Sequence, residues 1–174
     1  MKKIVLVFSL IAGIITAGML FVTMALAKNG VMEPSALLGY ATMVLALSVI
    51  FPAVKNYRDK EQNGVINFGK AFLIGIYISL ISSAIYALGW EIYIGTTGMT
   101  AVELMNSMYE SQIVSMKEAG ASADELAMYQ IGDWYNNLIP RYLFTMFGEM
   151  FPVGLIISLI CAGILKKKPQ TVKA

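Results

Sequence analysis

The stretch AFLIGIYISLISSAIYALGW, residues 71–90, decides the fold of this chain. It runs for 20 residues without a charged side chain, which is the length that an α-helix needs to cross about 30 Å of hydrocarbon. Small side chains recur in it at every fourth position and therefore share one face of a helix: Ala71, Gly75, Ser79, Ser83 and Ala87. The stretch predicts a membrane-spanning helix with a face that another helix can approach closely.

This stripe of small residues has two interpretations. In the first, it is a helix-packing surface, because small side chains let backbones approach one another in lipid. In the second, Ser79, Ser82 and Ser83 line a pore or a substrate path. Shorter stripes in two other apolar blocks favour packing: Ser9, Gly13 and Ala17 in the first, and Gly154, Ser158 and Ala162 in the last.

Three other apolar blocks are as long as the one just described. The four predicted membrane helices cover about 4–27, 35–54, 71–92 and 142–165. Their apolar runs are continuous, whereas the strands of a membrane barrel alternate between apolar and polar residues. We therefore predict an all-α fold, a four-helix transmembrane bundle that forms a single integral membrane domain over residues 1–174.

The composition excludes several classes of function. Hydrophobic residues make up 57% of the chain and charged residues 14%, against about 45–50% and about 25% in soluble domains. The net charge of +2 gives no indication of nucleic-acid binding. Cys161 is the only cysteine and histidine is absent, so an intrachain disulfide is excluded and the usual zinc and thiol-catalysis sites are missing. We expect no cofactor and no bound metal.

Basic residues divide unevenly between the two sides of the predicted bundle. With the N-terminus inside, the inner segments hold ten of them: Lys2, Lys3, Lys55, Arg58, Lys60, Lys70, Lys166, Lys167, Lys168 and Lys173. The outer segments hold three: Lys28, Lys117 and Arg141. Because inner loops of membrane proteins are enriched in Lys and Arg, both termini are predicted to be cytoplasmic.

The first apolar block has an alternative interpretation as a signal peptide. Lys2 and Lys3 precede it, and Ala25-Leu26-Ala27 resembles a signal-peptidase site. The apolar core of a signal peptide has only about 7–15 residues, which is shorter than this block. Retention as a membrane helix is favoured, and cleavage would leave the orientation of the other three helices unchanged.

The inner loop carries a motif that leads into the third helix. Asn63-Gly64 is a turn signal, and the pattern Gly64-x-Ile66-x-Phe68-Gly69-Lys70-Ala71-Phe72-x-x-Gly75 follows it. This motif is similar to the domain of unknown function 4199 family, small membrane proteins common in Bacteroidetes. The resemblance extends to Tyr57-Arg58-Asp59, Ile85-Tyr86, Ile92-Tyr93, the long outer loop and the closing Gly154-Leu-Ile-Ile-Ser158 with its lysines. It implies a four-helix protein of the bacterial inner membrane and supplies no catalytic residues.

The outer segment between the third and fourth helices is too long for a structureless loop. Thr100 with Glu103, and Ser122 with Glu125, match the capping box that begins a helix. The first helix is predicted to reach about Ala119 and the second about Ile131, with Gly120 between them. We therefore predict an extracytoplasmic amphipathic helical hairpin over about 99–133, with an apolar side against the membrane or the bundle.

Five methionines lie in this segment: Met99, Met105, Met108, Met116 and Met128. Thioethers can bind Cu(I). Their spacing follows the helical period and no histidine accompanies them, which favours a packing role.

Glu149 is the strongest candidate for a functional residue, because it lies about 10 Å inside the predicted fourth helix at 1.5 Å per residue. A carboxylate at that depth is expected to face the bundle or a wet cavity. Arg141 and Glu91 lie near the same side of the membrane. A Glu91–Arg141 or Glu149–Arg141 pair would be a structural arrangement, and a proton or cation site at Glu149 would be a functional one.

Three functional hypotheses follow from the sequence, of which a membrane-bound enzyme is the least favoured, because no nucleophile with its base and no metal cluster is predicted at one depth. The leading one is a non-enzymatic membrane module, such as an accessory or assembly partner, because the chain is small and no catalytic set of residues is recognisable. The alternative is a small-solute or ion transporter with Glu149 in its pathway. Four helices are few for a transporter, so this alternative requires a homo-oligomer. The expected partners are the lipid bilayer and either a second copy or another membrane protein.

Overall fold

Helices make up most of the chain. The computed structural model describes residues 1–32, 35–127 and 129–167, so that Met128, Lys168 and Lys173 of the predictions above lie outside the described residues. The helices are α1 (Lys2–Lys28), α2 (Ala36–Leu47), α3 (Ile50–Glu61), α4 (Phe68–Thr97), α5 (Ala101–Glu118), α6 (Ala123–Ala127), α7 (Leu138–Phe144) and α8 (Phe151–Leu165), with a 3₁₀ turn at Asp133–Asn136 and a π-helical segment at Thr145–Met150. The described residues are all-α and form no strand.

Four helices are long and apolar enough to cross a membrane: Lys2–Lys28, Ala36–Glu61, Phe68–Thr97 and Leu138–Leu165. Each extends beyond the apolar block found in the sequence. Hydropathy reports the part of a helix that lies in hydrocarbon, whereas helical hydrogen bonds continue into the polar flanks. The chain is therefore a multi-pass membrane protein.

Helix α4 lies at the centre of the bundle and packs against α8 through small residues. A Cβ atom placed on Gly75 would lie 2.5 Å from Ser158 Oγ, and one on Gly154 would overlap the Ser79 hydroxyl. Ala71 and Ala162 are fully buried. The two reciprocal contacts fix an antiparallel register in which the glycine of each helix receives the serine of the other.

Helix α1 packs against another part of α4, parallel to it. A Cβ on Gly13 would lie 2.7 Å from Ile85 Cβ, and one on Gly89 would lie 2.9 Å from Ala17 Cβ. Ile85 follows Gly13 by 72 positions, and Gly89 follows Ala17 by the same number, so the two helices run parallel in a single register. The small residues of α1 and α8 therefore hold both helices at close range to α4.

Two of the prolines in the spans, Pro52 and Pro152, each lie beside an irregularity in the helix. Pro52 has no N–H for the Ser48 carbonyl, and that carbonyl instead accepts a hydrogen bond from Phe51 N–H at 3.0 Å, which separates α2 from α3. Pro152 likewise cannot donate to the Gly148 carbonyl. The segment before it, Thr145–Met150, is π-helical, a widened turn that is frequent at functional sites.

One end of the bundle, the lysine-rich end, carries Lys2, Lys3, Lys55, Lys60, Lys70, Lys166 and Lys167. Asn63 and Gly64 form the predicted turn with φ of 49° and 80°. Ile66 and Lys167 exchange two backbone hydrogen bonds of 3.1 and 2.8 Å, so the loop after α3 is tied to the end of α8. Lys70 Nζ donates to Gln62 Oε1 at 3.0 Å.

The opposite end, the loop end, carries the described residues 98–127 and 129–137 and the start of the fourth span. Both predicted capping boxes are present: Glu103 N–H donates to Thr100 Oγ1 at 3.2 Å, and Glu125 N–H donates to Ser122 Oγ at 3.3 Å. In the same boxes Thr100 N–H donates to Glu103 Oε2 and Ser122 N–H donates to Glu125 Oε2, at 2.8 Å each, and these hydrogen bonds to the carboxylates lower the pKa of both glutamates. Gly120 follows α5 with φ 81°.

The prediction that the second of these helices reaches about Ile131 is wrong. Helix α6 ends at Ala127. Tyr129 N–H and Gln130 N–H bond carbonyls three residues back, at 3.1 Å each, so the chain leaves the helix in a tighter turn.

The α4–α8 contact predicts opposite effects for two Gly→Ala substitutions on one helix. Gly154→Ala forces a methyl group against Ser79 and should destabilise the protein by about 1–3 kcal/mol. Gly163→Ala meets no atom within 4 Å and should be neutral or slightly stabilising. Thermal unfolding of the two variants in detergent measures the difference, and equal midpoints would contradict the packing described above.

Candidate functional site

The arginine at the loop end, Arg141, forms a buried ion pair with Glu91. Arg141 Nε donates to Glu91 Oε1 at 2.9 Å and Nη2 donates to Oε2 at 2.5 Å. The two side chains are only 7% and 13% exposed. This bidentate geometry satisfies both carboxylate oxygens, which a buried ion pair requires. Of the two pairings considered from the sequence, the structure contains Glu91–Arg141.

Tyr135 in the 3₁₀ turn joins this pair to α4. Its carbonyl accepts from Arg141 Nη1 at 2.6 Å, and its hydroxyl accepts from Trp90 Nε1 at 3.0 Å. Burial raises the pKa of Tyr135 to about 12, so the phenol stays neutral at physiological pH. The pair, Tyr135 and Trp90 thus anchor the start of the fourth span to the third.

Glu149 lies apart from this network, in the π-helical segment. Arg141 is engaged with Glu91, and among the described residues Glu149 is in no ion pair. Its nearest polar contact is the Tyr86 hydroxyl, at 3.5 Å from Oε2, which is at the outer limit of a hydrogen bond. The carboxylate is therefore left without a strong partner inside a membrane span.

Glu149 lines a cavity of about 450 Å³ in the half of the bundle nearest the loop end. The wall is formed by α1, α2, α4, α5 and residues 144–149, and it is largely aromatic and sulfur-containing. The aromatic side chains are Tyr40, Tyr86, Trp90, Tyr109, Tyr129 and Phe144. No lysine or arginine occurs among the described residues that line it.

The hydroxyl groups on the wall are mostly engaged with the protein. Thr16, Thr23 and Thr42 donate to backbone carbonyls of their own helices at 2.9–3.0 Å. Tyr129 accepts from Gln112 at 3.1 Å, which places an aromatic and an amide side chain at the loop-end wall. Glu149 with Tyr86 is therefore the strongest polar feature that a molecule in the cavity would meet.

The serines of α4 lie outside the wall of this cavity. Ser79 Oγ donates to the Gly75 carbonyl at 2.8 Å, and Ser82 Oγ donates to the Ile78 carbonyl at 2.6 Å. Ser79, Ser82 and Ser83 are fully buried and do not line the cavity. The stripe formed by Ala71, Gly75, Ser79, Ser83 and Ala87 is buried along its whole length.

Reasoning from the sequence missed most of the cavity. The sequence places Tyr109 on the apolar face of the first outer helix and Tyr86 within a motif, and no local pattern indicates a role for Thr16 or Tyr40. In an antiparallel helix pair, residues in contact have position numbers with a nearly constant sum. The two glycine–serine contacts of α4 and α8 give a sum of 233, and Tyr86 with Glu149 gives 235, so this register brings Tyr86 near Glu149. The sequence alone does not give this register, because it does not show which helices pair.

Two acid-to-amide substitutions should show that the buried ion pair contributes more to stability than an exposed one. Glu91→Gln leaves Arg141 buried without a counter-charge and should lower the free energy of unfolding by about 3 kcal/mol or more. Asp59 pairs with Arg58 at 2.7 Å at the surface, and Asp59→Asn should leave the unfolding midpoint nearly unchanged because water screens that pair. Thermal unfolding in detergent compares them. Equal losses of stability would show that burial of the pair is unimportant.

Comparison with known proteins places the chain in a family without a known activity. No curated protein and no solved structure matches it. A family model described as a protein of unknown function (DUF4199) matches residues 6–167, which cover the first membrane-crossing helix from residue 6 and the whole of the other three. The chain therefore belongs to the DUF4199 family.

Proposed function

We propose that this protein is a non-enzymatic accessory module of the bacterial inner membrane that holds an occupant in the Glu149 cavity. The observation that carries this proposal is the unpaired carboxylate on the wall of a cavity of about 450 Å³. Ligand sites have volumes of about 300–1,000 Å³ and combine an apolar lining with a few placed polar groups. The wall of this cavity has that composition.

The close packing of the lysine-rich half of the bundle favours a binding site over a conduction path. Gly75, Ser158, Ser79 and Gly154 lie in contact there, and no residue of this layer lines the cavity. A solute that entered from the loop end would meet closely packed helices. The cavity is therefore closed at its floor, the end nearest the lysine-rich half, as a binding site would be.

The lysine distribution supports a cytoplasmic location of the lysine-rich end and both termini. The loop end, with the proposed helical hairpin, would then be extracytoplasmic. Retention of α1 is part of this proposal, since α1 packs on α4 through Gly13 and Ala17 and contributes Thr16 and Leu20 to the cavity wall. The proposed partners are the lipid bilayer and a second copy or another membrane protein.

The orientation predicts a labelling pattern for single cysteines in a Cys161→Ala background. Ser111→Cys, exposed on α5, should react with a membrane-impermeant maleimide on intact spheroplasts. Lys60→Cys, exposed at the lysine-rich end, should react only after permeabilisation. Both residues are exposed, so accessibility differs only by compartment. The reverse pattern would invert the topology.

Filling the cavity predicts loss of a bound molecule. Gly39 lines the cavity and Gly18 does not, and a Cβ at either position meets no atom within 4 Å. Gly39→Phe should therefore remove a bound species that native mass spectrometry detects on wild-type protein released from nanodiscs, and Gly18→Phe should retain it. A bound species unaffected by Gly39→Phe, or none on the wild type, would contradict occupancy of the cavity.

Transport is the second candidate function, and the position of Glu149 within a membrane span favours it. Such a carboxylate marks proton and ion paths in many membrane proteins. Because the floor of the cavity is closed, a path would need a different conformation or an interface between subunits. Substrate or proton flux into liposomes that Glu149→Gln abolishes would replace the binding proposal with this one.

A further inference from the structure

The described residues that line the cavity include one carboxyl side chain, Glu149, and no lysine or arginine that could pair with it. Among the described residues, its hydrogen-bond partner is the Tyr86 hydroxyl, at 3.5 Å. An occupant with a positive charge would supply the missing counter-charge. A carboxylate and a cation in a medium of low dielectric constant attract each other far more strongly than in water.

The aromatic side chains of the wall favour the same charge. Tyr86 and Trp90 lie one helical turn apart on α4, and Tyr40, Tyr109 and Phe144 contribute from other elements. The faces of aromatic rings attract cations, and aromatic walls are used to recognise quaternary ammonium groups. Such rings also accept the apolar surface around an organic cation, which a hydrated metal ion lacks.

The remaining lining is suited to an apolar tail. Six methionines lie along it: Met19, Met24, Met32, Met43, Met105 and Met108. Flexible thioether side chains adapt to irregular apolar ligands. A divalent metal ion would need several oxygen ligands, and the described residues contain no group of three or more acidic, cysteine or histidine side chains that could hold one.

We propose that the occupant is an amphiphilic organic cation, a protonated amine or quaternary ammonium group with an apolar tail. Glu149 is the counter-ion, Tyr86 and Trp90 face the ammonium group, and the methionine-lined part of the cavity takes the tail. This inference rests on the proposed binding function and names the chemical class that the cavity selects. The ammonium group belongs either to a free amphiphile or to a lipid head group, and the two sources share this chemistry.

The test uses two probes of the same shape, benzyltrimethylammonium and its uncharged carbon isostere neopentylbenzene. The full chain is placed in phosphatidylglycerol nanodiscs, whose lipid has no ammonium group. Trp90 lines the cavity and Trp134 does not, and the chain has two tryptophans. In a Trp134→Phe background, the emission of Trp90 therefore reports binding, and calorimetry measures the affinity.

We expect the cation to bind at least tenfold more tightly than the isostere, and Glu149→Gln to remove that preference. Glu110→Gln, an exposed acid-to-amide change on α5 away from the cavity, should leave it intact. Tyr86→Phe should weaken cation binding more than Tyr77→Phe, because Tyr77 is exposed on the same helix and does not line the cavity. Retained unfolding midpoints exclude misfolding as the cause.

The failures of the two proposals are distinguishable. Equal binding of both probes, with no effect of Glu149→Gln but loss on Gly39→Phe, overturns the cation inference and keeps the cavity as a binding site. Binding of neither probe, or binding unaffected by Gly39→Phe, overturns both. If cation binding is seen and adding phosphatidylethanolamine displaces the cation, the source of the ammonium group is the bilayer; without displacement, it is a free amphiphile.

Discussion

The close approach of α8 and α1 to the central helix α4 is the constraint on which the rest of the structure depends. In lipid, apolar side chains gain nothing by leaving one hydrocarbon environment for another, so helices associate through tight van der Waals contact. Gly75 and Gly154 each receive a serine from the other helix, and Gly13 and Gly89 do the equivalent between α1 and α4. These contacts leave no freedom to shift a helix by one turn.

The same packing decides where space remains. The bundle is filled by backbone and small side chains around Gly75 and Gly154. Towards the loop end α1 stays close to α4 at Gly89, and larger side chains line the space beside this contact. Trp90, Tyr135 and the Glu91–Arg141 pair hold one side of that half together. The cavity lies between α1, α2, α4 and α5, with Trp90 and Glu149 on its wall.

Two acids that look alike in the sequence therefore have different environments. Glu91 accepts hydrogen bonds from two of the three guanidinium nitrogens of Arg141, Nε and Nη2, and therefore has a structural role. Glu149 faces the Tyr86 hydroxyl at 3.5 Å and the open volume of the cavity, so its carboxyl group is available to an occupant. The widened π-helical turn before Pro152 carries Glu149. This division is the basis of the proposal that the protein binds a cationic amphiphile.

The sequence by itself determined the number and type of membrane helices, the small-residue stripes, the two capping boxes and the turn at Asn63-Gly64. Each of these depends on residues close together in the chain, such as a 20-residue apolar run or small residues at every fourth position. The length of α6, the choice of Glu91 as the partner of Arg141, and the cavity were decided only by the tertiary structure. Tyr40, Tyr86, Tyr109 and Glu149 come from four separate elements, and only the register of packed helices brings such distant positions together.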